Sequence, residues 1–227
     1  MKIWIEFAKQ FNHYGLREGG LIMRKVNLVI KRIIDFMGAL LGMVLISPLL
    51  IGIAGLIKAS SPGPILFKQE RVGKDGNHFK ILKFRTMVLN AEKIGDGLFV
   101  KTDQDNRITK IGKFLRATSL DELPQLWNVL VGDMSLVGPR PPVTYHPYRY
   151  EDYNDFQKKR FEMRPGMTGL TQVKVRNGVP WDDRIPIDVE YVERFTVWLD
   201  IKIIFSTLKK IFVGESIYMD SEKKKIQ

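Results

Sequence analysis

The stretch FMGALLGMVLISPLLIGIAGLI, residues 36–57, runs for 22 positions without a charged side chain, between Asp35 and Lys58. As a straight helix rising about 1.5 Å per residue it would reach roughly 33 Å, enough to cross the hydrocarbon core of a bilayer. It begins too deep in the chain, and lacks the cleavage site, for a secretory leader. Ser47-Pro48 lies at its centre, where an interior proline removes a backbone hydrogen bond and kinks or breaks a helix. A spanning helix shows its basic excess on one side only. Here Arg24, Lys25, Lys31 and Arg32 precede the stretch, and Lys58, Lys68, Arg71 and Lys74 follow it with only Glu70 among them. The reading is a re-entrant helix–break–helix that dips into one leaflet and returns, set against a true span and against the core helix of a soluble protein.

The rest of the composition is ordinary. The chain has 227 residues, 44 % of them hydrophobic, and a formal net charge of +11. It contains no cysteine, which excludes a disulfide scaffold, a thiolate nucleophile and Cys-ligated zinc or iron–sulfur sites. The charge is local. Residues 1–34 carry 7 basic and 2 acidic side chains and residues 58–120 carry 13 and 6, whereas residues 121–227 balance at 16 each. An excess that brackets an apolar stretch suits anionic lipid and phosphate-bearing substrates. No helix-turn-helix, RRM or zinc pattern accompanies it, so nucleic acid is not expected as a partner.

Outward from the apolar stretch, SSPGP at 60–64 closes the membrane element. Residues 65–72 and 78–87 read as two strands joined across Gly73–Asn77, where Asp75-Gly76 is a hairpin signal. Residues 91–107 read as irregular. Helices are expected over 108–116, 121–131, around 150–163, and over 187–212, with 132–142 as a loop and 164–183 as turn-rich. Ile3, Trp4, Phe7, Phe11 and Tyr14, and at the other end Trp198, Phe205 and Phe212, recur at helical intervals among lysines and arginines. That pattern fits interfacial helices, or helices packed on the protein's own core. The expected fold is α+β and mainly helical, with a re-entrant membrane helix, a small β-hairpin and amphipathic surface helices around one catalytic domain. Its parts are a basic amphipathic arm (1–34), the membrane helix (35–58) and a catalytic region continuous with it (59–227).

The sharpest chemical signal is Asp121-Glu122-Leu123-Pro124. Proline is tolerated among the first helical positions, which places both carboxylates on a first turn, where free N–H groups and the helix dipole favour an ionised carboxylate. An oriented, ionised Asp suits a nucleophile or a Mg²⁺ ligand. Ser119 and Glu122 equally match a capping box, and spacing alone does not choose between the two. Five arginines sit in constrained settings: Arg85 at a strand end, Arg116 before the dyad, Arg140 between prolines, Arg164 before Pro165-Gly166 and Arg176 before Asn177-Gly178. A guanidinium aimed by a fixed backbone suits bidentate phosphate recognition. His13, His78 and His146 form no metal-ligand spacing, and no Walker A, Rossmann or Gly-x-Ser-x-Gly motif is present.

Together these motifs resemble the bacterial monotopic phosphoglycosyl transferases, also called bacterial sugar transferases or undecaprenyl-phosphate sugar-1-phosphate transferases, in their short form. The matching segments are the basic residues and Asp35 before the broken apolar stretch, SPGPILFKQ (61–69), KFRTM (83–87), Leu115-Arg116, SLDELPQL (119–126), GDMSLVGPRP (132–141), RPGMTGL (164–170) and DVEYV (188–192). They run in one order from about Lys31 to Phe212. The resemblance implies transfer of a sugar 1-phosphate from a UDP-sugar to a polyprenyl (undecaprenyl) phosphate at the cytoplasmic face of the bacterial inner membrane. UMP is released, and the step opens surface-polysaccharide or glycoconjugate assembly. It implies Asp121 as nucleophile, through an aspartyl-phosphosugar intermediate, and as a ligand of a Mg²⁺ cofactor. Glu122 is then its acid/base or metal-orienting partner, and Arg116 and Arg140 are substrate-binding residues. Lys83, Arg85 and Arg176 join the substrate-binding set partly on charge. Anionic lipid is an expected partner; a second copy of the chain and downstream glycosyltransferases are further ones. The alternative is a noncatalytic membrane scaffold for a glycan-assembly complex.

Overall fold

A computed structural model describes residues 2–94, 105–175 and 179–213, with the side chains of 2–21, 92 and 211–213 outside the description. Arg176, and the side chains of the aromatic pattern at 3–14 and of Phe212, therefore lie outside the described part of the structure.

Helix α1 runs from Lys2 to Ser60, and SSPGP ends it as expected. The helix is unbroken through Pro48, where the sequence pattern places a kink or break. From Ile22 to Ser60 it is long and apolar enough to cross a membrane by length and composition. One stripe of it is nonetheless buried in protein. Asp35, Ala39, Ile53 and Ile57 are buried, with Met43, Ile46 and Leu50 packed beside them. These positions recur every three or four residues, so a single helical face serves the core along the whole apolar stretch. The opposite face is bare: Leu41, Val44, Leu45, Ile51 and Leu56 are exposed, Ile51 by 72 %.

The hairpin forms as read, with β1 (Leu66–Val72) antiparallel to β2 (His78–Phe84) in a register that pairs Leu66 with Phe84 and Val72 with His78. Asp75 and Gly76 take the positive φ values (54° and 81°) of the turn between them. Gly63 is needed for space as well as conformation. At φ 121° a Cβ there would sit 2.2 Å from Arg85 Nη1.

Helices α2 (Lys110–Ala117) and α3 (Gln125–Val131) follow, with a 3₁₀ turn over Leu120–Glu122 between them. Within the stretch read as a loop, β3 (Ser135–Val137) pairs in parallel with β4 (Gly166–Thr168), a second small sheet that the sequence reading lacks. The helix expected over 150–163 is instead two 3₁₀ turns flanking α4 (Asp155–Lys158). Helix α5 (Leu170–Lys174) precedes α6 (Trp181–Glu193), which accommodates Pro186, and α7 (Val197–Val213). The single terminal helix expected over 187–212 is thus divided near Arg194–Thr196. Thr196 Oγ1 accepts from Leu199 N at 3.1 Å and starts α7 afresh.

Two of the core clusters are built on α1. Ala39 packs with Ile81, Leu126, Val129 and Met134, while Ile53 and Ile57 pack with Phe84 and Leu115. Two of the four basic residues before the apolar stretch belong to this interior. Lys31 Nζ is buried, 2.5 Å from Asp200 Oδ2, and donates to Val137 O at 2.8 Å. Tyr191 OH donates to the other Asp200 oxygen at 2.7 Å. Arg32 donates to Val129 O and Leu130 O at the end of α3, satisfying carbonyls that the helix leaves unpaired. Asp35 Oδ1 accepts from Leu136 N at 2.9 Å and Ser135 Oγ at 3.0 Å. Lys31 and Arg32, which in sequence resemble cations for lipid, hold the apolar helix to the domain instead.

Candidate active site

Asp121 and Glu122 lie in the 3₁₀ turn ahead of α3 and are partly buried. Pro124 occupies the N-cap of α3, so the dyad sits one step before the helix rather than in its first turn. The capping box is not formed. Ser119 adopts a left-handed conformation (φ 56°) with no side-chain cap bond, and Glu122 points elsewhere.

Glu122 faces cations. Lys83 Nζ, from the end of β2, lies 2.6 Å from Glu122 Oε1, and Arg140 Nη2, from the proline-flanked loop after β3, lies 3.8 Å from the same oxygen. Burial pushes the Glu122 carboxyl up, but Lys83, Arg140 and Arg71 together outweigh it and hold the group at about 2. Asp121 goes the other way. Burial, helped by the adjacent Glu122 charge, raises it to about 6 against the pull of Lys83 and Arg116. Both carboxylates thus remain mainly ionised at neutral pH, Glu122 with a wide margin and Asp121 with a narrow one. No side chain hydrogen-bonds the Asp121 carboxylate among the described residues. Neighbouring acids driven apart in this way divide the labour of a site between them.

Arg116 is aimed by Thr86, whose Oγ1 accepts from Arg116 Nε at 3.0 Å. Lys83, Arg116, Arg140, Asp121 and Glu122 are thereby assembled from β2, α2, the loop after β3 and the turn before α3. Arg85 does not join them. It is buried, and its guanidinium donates to Pro62 O at 2.6 Å and to Ser61 O and Oγ at 2.8 and 2.9 Å, closing the end of α1. Arg164 likewise turns to Gly132 O at 2.8 Å.

Asn128 is a positioning residue that the sequence reading passes over. Its Oδ1 accepts from Leu82 N at 3.0 Å and its Nδ2 donates to Lys80 O at 2.9 Å, stitching α3 to the free edge of β2. That contact sets Lys83 opposite Glu122. A buried asparagine in the apolar run QLWNVLV is the available signal, since such a group needs partners.

Among the described residues, no group of three or more His, Asp or Glu side chains is gathered to hold a metal. A cation at this site would use the unengaged Asp121 and oxygens of its substrate, which is the habit of Mg²⁺.

The profile of the family described as bacterial sugar transferase matches residues 26–214. The chain is 44 % identical over 198 residues to the galactosyl transferase CpsE of Streptococcus agalactiae, covering 83 % of this chain and 43 % of that protein. It is 43 % identical over 199 residues to a UDP-glucose:undecaprenyl-phosphate glucose-1-phosphate transferase of Escherichia coli, covering 85 % and 42 %. A Caulobacter vibrioides protein of the same name is 41 % identical over 208 residues, covering 89 % and 77 %. The chain thus spans less than half the length of the first two relatives and most of the third.

Proposed function

Because this chain belongs to the bacterial sugar transferase family, we propose that it transfers a sugar 1-phosphate from a UDP-sugar to undecaprenyl phosphate and releases UMP, as a first step in surface-glycan assembly. The names of the Escherichia coli and Caulobacter relatives support that pair of substrates. The observation that carries the chemistry is the split dyad. Asp121 is a carboxylate with no side-chain hydrogen bond among the described residues, beside Lys83 and Arg116, while Glu122 is spent on Lys83 and Arg140. An Asp121 oxygen attacks the β-phosphorus of the donor and the bond to the UMP oxygen breaks, its electron pair leaving with UMP. The phosphosugar then rests on Asp121 until a phosphate oxygen of the lipid acceptor attacks the same phosphorus and frees the carboxylate. Lys83, Arg116 and Arg140 offset the charge that spreads over the transferring oxygens. A group held at about 2 stores no proton at neutral pH, so Glu122 serves as an anchor for Lys83 and Arg140 rather than as an acid. Mg²⁺ fits at Asp121, where, when bound, it supplies charge neutralisation for the diphosphate.

UMP release from a panel of UDP-sugars, with undecaprenyl phosphate as acceptor, tests this reading and identifies the sugar. In the same assay kcat/KM has an acid limb. Asp121 acts ionised and its carboxyl is raised to about 6, so activity is lost as pH falls through about 6 rather than through the ordinary aspartate range. A limb near pH 4 would contradict the assignment.

The membrane helix is proposed to lie along one leaflet, with the catalytic region on the cytoplasmic side of the inner membrane. Its buried stripe supports this. A helix that crossed the bilayer alone could not keep one face on the domain from Asp35 to Ile57. Its bare face, and exposed Phe114, Trp127, Val131, Trp198 and Phe205 on the helices that abut it, supply the apolar surface. A course along one leaflet, with both ends of α1 on the cytoplasmic side, implies that cysteines introduced at Lys2 and Lys74 are both shielded from an impermeant thiol reagent in intact cells. Labelling of one alone would mean a span.

A further inference from the structure

The segment that carries Arg140, Gly138-Pro139-Arg140-Pro141-Pro142, is poor in main-chain donors because three of its residues are prolines. Pro139, Pro141 and Pro142 are buried, whereas the Arg140 side chain is 36 % exposed and reaches toward Glu122. A backbone of this kind can be fixed chiefly through its carbonyls, and buried carbonyls need donors. Each carbonyl from 139 to 142 has one. Gly166 N donates to Pro139 O, Arg71 Nη1 to Pro141 O and Val72 N to Pro142 O, all at 3.0 Å. The carbonyl of Arg140 itself accepts from Arg160 Nη2 at 2.9 Å.

Arg160 is a firm holder. It comes from the 3₁₀ turn Lys159–Phe161, its side chain is buried, and the same Nη2 lies 2.6 Å from Asp188 Oδ2 on α6. Asp188 opens the DVEYV segment, and its other oxygen accepts from Thr171 Oγ1 on α5 at 2.5 Å. The rings of Phe161 and Trp181 flank the guanidinium, with their centres 5.2 and 4.9 Å from its carbon. A buried ion pair is a poor source of stability beside an apolar pair of the same size. What this one supplies is a charged donor with little freedom to move, set against a single carbonyl.

We infer that Arg160 and Asp188 are positioning residues for the transfer step, holding the main chain of Arg140 so that its guanidinium stays beside Glu122 and over the transferring oxygens. This rests on the transferase reading and adds to it a support that reaches the site through the backbone of Arg140. Charge on the transferring oxygens is greatest in the transition state, so a misaimed Arg140 is felt in kcat more than in KM.

Exchange of both residues for an apolar pair, Arg160→Met/Asp188→Leu, tests the inference in the full chain, since it fills similar space and leaves no buried charge. The melting temperature is expected to stay within a few degrees of the wild type. With UDP-sugar and undecaprenyl phosphate, kcat for UMP release falls at least about tenfold while KM for the donor moves less than about threefold. In an Arg140→Met background the same exchange costs no more than about twofold, because the guanidinium it aims is gone. A folded double variant with wild-type kcat overturns the inference, and so does a loss that persists at full size beside Arg140→Met. If the exchange does not fold, Thr171→Val carries the test. It keeps the ion pair and removes one brace, so kcat falls about threefold, and only where Arg140 is present. An unchanged kcat in Thr171→Val then overturns the inference. The wild type separates the two claims. Release that the variants leave unaffected removes the positioning role and keeps the transferase reading. No release from the wild type removes the transferase reading, and the positioning role with it.

Discussion

Asp121→Asn is expected to lower UMP release by at least about 10³-fold while changing UDP-sugar affinity only a few-fold. The substitution keeps the shape of the side chain and removes the nucleophilic oxygen and its charge. The turn before α3, the Lys83–Glu122 pair and the Asn128 stitch all survive it. Stability gives the control. A carboxylate whose pKa is raised on folding is a burden at neutral pH, because the unfolded chain ionises it more easily. Asp121→Asn should therefore melt at the same temperature as the wild type or above it, as replacement of a strained functional group often does. Lost activity together with a lower melting temperature would make Asp121 a structural residue. Retained activity would return the chain to the scaffold reading.

The second large effect is on stability. Lys31→Met removes the cation from a buried pair and leaves Asp200 hydrogen-bonded to Tyr191 but without its counter-charge. Breaking such a pair costs about 3–5 kcal/mol. Burial already raises the Asp200 carboxyl, and Lys31 is the main force against that rise. Without Lys31 the folded state holds the Asp200 proton more tightly than the unfolded state does, so stability falls as pH climbs above the ordinary aspartate range. Melting of Lys31→Met should be depressed most at pH 8 and least near pH 5. The double variant Lys31→Met/Asp200→Leu should recover much of the loss, since an apolar pair has no charge to desolvate. A pH-independent loss would mean that packing of the Lys31 stem, and not the pair, was the stabilising part.

How much is legible in the sequence depends on the range of the interactions involved. The apolar helix and the hairpin are legible because their signals are local, an uninterrupted apolar run closed by SSPGP and an Asp-Gly turn between strands. Capping motifs show how a local signal fails. Ser119 and Glu122 have the spacing of a capping box and do not form one, because Lys83, 39 residues away, claims Glu122. Asn154 and Gln157 do form one, with Asn154 Oδ1 accepting from Gln157 N at 2.9 Å, and it interrupts the stretch read as a single helix. The dyad itself is visible as a motif, and so are Lys83, Arg116 and Arg140. The roles of Lys31, Arg32 and Arg85 are hidden. Each looks like a free cation, and each is committed to carbonyls or a carboxylate 23 to 169 residues distant in the chain. The raised pKa of Asp121 is hidden for the same reason, since burial is a property of the assembled site.

The central claim is that the sugar phosphate rests covalently on Asp121, and intact-protein mass measurement addresses it most directly. The full chain is mixed with its UDP-sugar and Mg²⁺ in the absence of undecaprenyl phosphate, quenched in acid and weighed. The expected result is a species heavier by one phosphosugar and an equal amount of UMP. The adduct should map to the peptide that carries Asp121, be absent from Asp121→Asn, and discharge on addition of the lipid acceptor. An unmodified mass, with UMP formed only once the acceptor is present, would contradict the covalent route and leave a direct transfer between the two substrates.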